Sequence, residues 1–500
     1  MRNFIWATLA SSLVLSACGG GSDNITNIPP TVPPVQGANN QAPVLDISNE
    51  NQAGVVGSAF EYDATLGGTV FSDPDGDVLS YRVDYSPAAQ GLSDNAGIIS
   101  GTPSIAGVIT VTITASDESG DTAADSFDIE IFPEGTDQNA LISKFAGRID
   151  LDNLENYANQ TVPDYILKLN DGGNPITDAG ATLGRVLFYD PALSVDDTIS
   201  CSSCHGQSTA FSDTDVVSTG VDGGLTGRHS MRLVNMQFTD ANNFFWDNRA
   251  TSLEDQESQP LVSHVEHGFS GEDGRPDLDD LLTKLEGIEY YEELFTYVFG
   301  DPAVTEERLQ ISLAQFTKSI WSFDSKYDAG RAQVDDEFAL FPNFTDDENA
   351  GKLLYLDGPV DGGAGCQGCH LAPEFDISPL SLHNGVVAVA GQPGEFDFTN
   401  VRSPSLRDLV GPNGEINGPF MHDGSQTSLM EVVDHYDQIP VPTDAEAREE
   451  FLATIDPLLV QDGEIIPLNL SALQKDQLIA FLNTLSGSSI YTDTKYSDPF

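Results

Sequence analysis

This chain is short of positive charge. In 500 residues, 21 Lys and Arg face 78 Asp and Glu, leaving a formal charge of −57. Such a surface repels phosphate backbones and anionic headgroups, so nucleic-acid binding and adsorption to anionic lipid are excluded as functions. It suits solvation in a salty medium and attracts basic proteins at long range. Cysteine and methionine are also sparse, at five each, and histidine occurs eight times. The apolar stretch after Arg2 is too short to span a bilayer. What remains is ample for folding: 39% hydrophobic residues in a chain of this length supply two or three separate cores.

The N-terminal "MRNFIWATLASSLVLSAC" combines a basic residue, an apolar stretch and small residues before Cys18, the pattern of a secretion signal over residues 1–18. It resembles the bacterial lipobox, in which Cys18 becomes the lipidated first residue of the mature protein. The segment 19–41 reads as a flexible, Pro-bearing tether. Together they predict an exported protein held by a lipid anchor at the periplasmic face of a bacterial membrane or at the cell surface.

From residue 42 to 133 the texture is β-prone runs between turn signals, with Ile109, Val111 and Ile113 alternating against Val108, Thr110, Thr112 and Thr114. This period of two predicts a small β-sandwich, and "FSDPDGDVLSYRV" resembles the cadherin-like or Ig-like modules of bacterial surface proteins. Asp73, Asp75 and Asp77 offer hard oxygens to Ca²⁺, although such a stretch is in the first instance a tight turn. With no Cys or His, the module reads as a spacer or docking unit without chemistry.

Beyond it the pattern turns helical and loop-rich. Four of the five cysteines lie in two copies of one pentapeptide, "CSSCH" at 201–205 and "CQGCH" at 366–370. Cys-x-x-Cys-His is the attachment sequence of c-type haem: two thiols add across the vinyl groups of one porphyrin, and the adjacent imidazole becomes the proximal iron ligand. A thioredoxin-like pair would not need the histidine, and a four-Cys zinc site would not repeat it in both copies. The motifs therefore assign one haem c to Cys201, Cys204 and His205 and a second to Cys366, Cys369 and His370, with His205 and His370 as metal ligands.

Around these motifs the chain resembles the bacterial di-haem cytochrome c peroxidase family, which includes the MauG-like maturation enzymes. The resemblance runs from about residue 175 to 485 through "LGRVLFYDPALSVDDTISCSSCHGQSTAFSD", "FFWDNRATSLEDQESQPLVSHVEHG", "GAGCQGCH", "VRSPSLRDL" and "NGPFMHDGSQTSLMEVVDHY". It implies a mixed multidomain chain: the β-sandwich followed by two mainly helical cytochrome-c-like domains, 140–335 and 336–500. It also implies Trp246 as an electron relay between the haems, Glu266 as the distal carboxylate that shuttles a proton during O–O cleavage, and Gln256 as a distal amide that holds peroxide.

Departures from the family pattern are informative. The loop that carries a distal histidine in many members is "VVSTGVDGGLTGRHSM", with Val221 near the corresponding place and His229 in the following segment. This predicts a first haem that is five-coordinate at rest. Asn417 and Pro419 match carbonyl donors of the family's calcium site, but His229 replaces its asparagine, so calcium stays an open question. The usual axial methionine of the second haem aligns with Tyr436, ranked ahead of His435 and Met430 as ligand, with Met421 a further alternative. His422 matches a family residue near this haem, and His264, His267 and His383 read as loop or haem-edge histidines.

These readings predict reduction of hydrogen peroxide by electrons from a small redox protein, a cytochrome c or a cupredoxin. One alternative is a MauG-like modifier of a partner protein's side chains. Another is a multihaem electron conduit without catalysis.

Overall fold

The computed structural model describes residues 40–500 except 50, 133–138, 171 and 241–242; Cys18, its signal and most of the tether lie outside the described residues. The N-terminal module is the expected sandwich. One sheet has the order Gln52–Val55, Thr122–Phe132, Gly107–Ser116, Ser80–Ser86, with only the first pair parallel, and the second runs Phe60–Asp63, Ile98–Gly101, Leu92–Asn95. The alternation holds in detail. Ile109, Val111 and Ile113 are fully buried, while Thr110 and Thr112 stand on the open face and bond Asp128 and Ser126 across the strands. Asp73 Oδ1 accepts the backbone N–H groups of Asp75 and Asp77, so this acidic stretch is folded as a turn.

The helix Asn139–Phe145 joins the module to the rest. Ile142 packs on Ala53 and Val55 of the sandwich, and Leu141 and Phe145 enter the first helical core.

Two helical domains follow, each built on one close helix pair. In the first, Asp178–Tyr189 crosses Glu306–Ser319, and a Cβ on Gly184 would lie 2.0 Å from the Ser312 carbonyl oxygen. In the second, Asp346–Leu356 crosses Ala472–Leu482, and a Cβ on Gly351 would lie 1.8 Å from the Gln477 carbonyl oxygen. Glycine is required at both crossings because only it allows the backbones to meet. The haem motif then follows as a turn at Cys201–Ser203 and at Cys366–Gly368.

The domain limits differ from a simple division at residue 336. Residues beyond 488 return to the first core: Ile490 and Tyr496 are buried there, and Tyr157 and Tyr189 donate to the Lys495 and Tyr496 carbonyls. Conversely, Tyr327 belongs to the second core. Among the described residues, no helix is long and apolar enough to cross a membrane.

Candidate functional site

At the first motif a tight turn carries the backbone N–H groups of Cys204 and His205 back to the Cys201 carbonyl, clustering both thiols with the imidazole. His205 Nδ1 lies 3.1 Å from the Phe211 carbonyl. That contact favours the Nδ1–H tautomer and leaves the lone pair on Nε2. Burial pushes the Cys201 thiol upward and that of Cys204 up to about 11, away from the activated range of a redox dithiol.

Carboxyl groups converge on this site. Glu266 acts electrostatically on both Cys201 and Cys204, and Glu257 acts on Cys201. Burial raises the Glu266 carboxyl above its ordinary range, against opposing effects of Ser263 and Arg249. The Val221 N–H donates to the Glu266 carbonyl at 3.1 Å, and Val221 is buried. The place where a distal histidine was considered therefore carries an apolar side chain packed beside Glu266. Gln256 is half-buried on the helix Leu253–Val262, one residue before Glu257.

Glu257 is a residue that the sequence reading missed. It accepts from Thr317 Oγ1 at 2.9 Å, and burial pushes it up to about 8. A signal was present: Leu253, Glu257 and Leu261 are spaced by four, placing an acid on the buried stripe of a helix.

The second motif opens onto a cavity of about 520 Å³, lined by Cys366, Cys369, His370, Tyr436, Met421 and Trp246 among others. Its volume is in the range of pockets that accept a cofactor, and most of the lining is apolar. These residues fit a haem whose thioether and proximal bonds come from one wall. Burial pushes Cys366 up to about 12, Cys369 up to about 11 and His370 down to about 4. Unlike His205, His370 has an Nδ1 without a partner.

Tyr436, on the helix Leu429–Asp437, also lines this cavity. Asn384 Nδ2 donates to Tyr436 Oη at 2.8 Å and lies 3.4 Å from Met421 Sδ. Burial raises the phenol, and the Asn384 hydrogen bond opposes it. His435 is differently placed: its Nε2 is 3.0 Å from the Asn384 carbonyl, and neither it nor Met430 belongs to the cavity wall.

Trp246 lies where the domains meet. Its Nε1 donates to the His229 carbonyl at 2.8 Å, and its own carbonyl accepts from Val401 N at 2.9 Å and Arg402 N at 3.0 Å. Its ring meets His422 edge-on at 6.1 Å. His229 Nδ1 is engaged with the Asp215 carbonyl, and His422 Nε2 with the Ala388 carbonyl. His264, His267 and His383 are likewise held by Ser270, the Leu193 carbonyl and Thr454.

The Asn417 carbonyl considered for calcium accepts from Arg232 Nη2 at 2.8 Å. His229 Nδ1 is engaged as well, and calcium is not shown at this set. Among the described residues, no group of three or more His, Cys, Asp or Glu is placed to hold a metal ion.

Known proteins resemble this chain in both its β-module and its helical part. The profile of the family described as di-haem cytochrome c peroxidase matches residues 178–336, and that of an Ig domain family matches residues 42–132. The methylamine utilization protein MauG of Methylophilus methylotrophus is 30% identical over 323 residues, covering 63% of this chain and 85% of that protein. The cytochrome c551 peroxidase of Nitrosomonas europaea is 29% identical over 267 residues, 51% of this chain and 71% of that one. A solved MauG-like protein associated with microbial copper homeostasis superposes with a TM-score of 0.53 at 25% identity, covering 68% of this chain and 99% of its own.

Proposed function

Because this chain belongs to the di-haem cytochrome c peroxidase family, we propose that it reduces hydrogen peroxide at its first haem site, with electrons from an external donor passing through the second. The observation that carries this reading is the inequality of the two sites. The thiols of the first lie within electrostatic reach of Glu266, whose carbonyl accepts from the buried Val221, and Glu257 acts on Cys201, whereas the cavity of the second is lined by Tyr436 together with Cys366 and Cys369.

Bound at the two motifs, the haem irons supply the redox chemistry. The protein residues manage protons and position. Each peroxide requires two electrons and two protons to become two waters. Glu266, whose carboxyl is raised above its ordinary value by burial, takes a proton from one peroxide oxygen and returns it to the leaving one. Gln256 holds the substrate by hydrogen bonding. Tyr436 would hold the iron of the second haem from the cavity wall, and Trp246 would relay electrons between the sites. Calcium at Asn417 and Pro419 is not part of this proposal.

The donor is a small cytochrome c or cupredoxin, and a basic one is favoured by the charge of −57. Export and anchoring through Cys18 would place the enzyme at the periplasmic face or the cell surface. Tyr436 also favours a second reading. A phenolate is a harder ligand than a thioether and stabilises oxidised iron, which suits a MauG-like enzyme that draws electrons from side chains of a partner protein.

Turnover assays on the purified holoprotein separate these readings. Catalytic oxidation of a reduced small cytochrome or cupredoxin by peroxide is expected. Peroxide-dependent modification of one co-expressed protein without donor oxidation would favour the second reading. No peroxide reaction at all would leave an electron conduit.

A further inference from the structure

Two guanidinium groups lie in the wall of the second cavity with too little negative charge around them. Arg232 and Arg402 both line it, at 4% and 6% exposure. Arg232 Nη2 bonds the Asn417 carbonyl and Nη1 lies 3.4 Å from the Ser405 carbonyl, but its Nε has no partner. Arg402 Nε is also unpartnered, and the only ion pair of Arg402 among the described residues is with Asp376 at 3.8 Å. That carboxylate is shared with Lys168 Nζ, also at 3.8 Å. Among the described residues Arg232 forms no ion pair; the acid that acts on it is Asp408.

Arginine does not shed its proton in a protein. A buried cation without a counter-charge costs several kcal/mol, so buried charges are paired. In a chain with only 21 basic residues, two cations enclosed at one cavity call for an anionic ligand. The group that the adjacent Cys366–His370 motif specifies carries two carboxylates, one for each guanidinium, and the planar fork of arginine matches a carboxylate.

We propose that Arg232 and Arg402 clamp the two propionates of the second haem, one arginine from each side of the domain boundary. The proposal rests on the reading that haem c is attached at Cys366 and Cys369. Arg232 precedes Leu233 and Val234 of the first core, yet its hydrogen bonds go to Ser405 and Asn417 next to the second. Arg402 donates its backbone N–H to the Trp246 carbonyl, and its guanidinium lies 5.1 Å from the Phe244 ring centroid. The clamp therefore ties the carboxylate edge of the second haem to the same segment that holds Trp246, and a guanidinium supplies a cross-domain cation.

The test uses full-length holoprotein and the Arg232→Gln, Arg402→Gln and Arg402→Lys variants. Intact mass checks both haems, spectroelectrochemistry reads each potential, and resonance Raman reads the propionate modes. Loss of a cation disfavours the reduced iron, so each Gln variant should lower the second haem's potential alone. A roughly tenfold change in its redox equilibrium, about 59 mV for one electron, is expected. Its propionate bands should shift, and Arg402→Lys should restore most of the potential. Unchanged potentials and bands in both Gln variants, or equal shifts at both haems, overturn the clamp. A parent protein lacking haem at Cys366 and Cys369 overturns the attachment reading, and the clamp with it.

Discussion

The two helical domains share a scaffold and differ in what faces the haem motif. In each, a glycine lets one helix touch the backbone of another, Gly184 at Ser312 and Gly351 at Gln477. A turn then presents Cys-x-x-Cys-His. Near that shared turn the first domain has the carboxyl groups of Glu266 and Glu257, and the second a phenol held by Asn384. The attachment chemistry tolerates little change because three side chains must reach one porphyrin. The residues around that turn are free to vary, and they differ between the two sites. On the proposed reading, the first site's carboxyl groups would manage protons and Tyr436 would set the potential of the second.

The largest expected effect of breaking this inequality comes from Glu266→Gln. It should slow the reaction with peroxide by about 10²–10⁴-fold, the usual weight of a positioned acid–base group, while intact mass still reports two haems. Stopped-flow spectra check this, and an unchanged rate would remove Glu266 from the mechanism.

Glu257→Gln sharpens the comparison through pH. The folded carboxyl titrates at about 8 and the ordinary value is 4.5, so between them the native state holds a proton that the unfolded state has lost. Stability contributed by this group is therefore full below the lower value and falls as pH rises through the higher one. The variant should lose that dependence and gain roughly a few kcal/mol over the parent at pH 9 relative to pH 5. Thermal unfolding across that window checks it; parallel curves would contradict it.

Tyr436→Met should raise the potential of the second haem by on the order of 0.1 V, within the span that axial ligands command, and leave the first unchanged. Titration of both haems in one cell reads this, and a shift confined to the first haem would invert the assignment. The smallest effects concern the shared scaffold. Gly184→Ala and Gly351→Ala each push a methyl group into a backbone carbonyl and should each cost about 1–3 kcal/mol. If only one of them destabilised, the two scaffolds would not be equivalent.

Much of this was legible in the sequence where chemistry or periodicity is local. Both haem motifs, the strand alternation from Val108 to Thr114, the helical character beyond the sandwich and the family resemblance around Trp246 and Glu266 all lie in short windows. The missed features depend on pairings distant in sequence. Nothing local in the sequence marks Arg232 and Arg402, which only the fold encloses against one cavity. Asn384 sits in a loop about fifty positions from Tyr436, and no periodic pattern links them. The return of Ile490 and Tyr496 to the first core leaves no local mark either. Glu257 was readable in principle, as an acid between Leu253 and Leu261, but a helix-face analysis was needed to see it.

The central claim is that the two haem sites are unequal, one open to oxidant and one closed by a protein ligand. Electron paramagnetic resonance of the resting ferric holoprotein, before and after addition of peroxide, tests it most directly. One high-spin and one low-spin iron are predicted, with the high-spin signal consumed within the mixing time. Two low-spin irons that ignore peroxide would contradict the account.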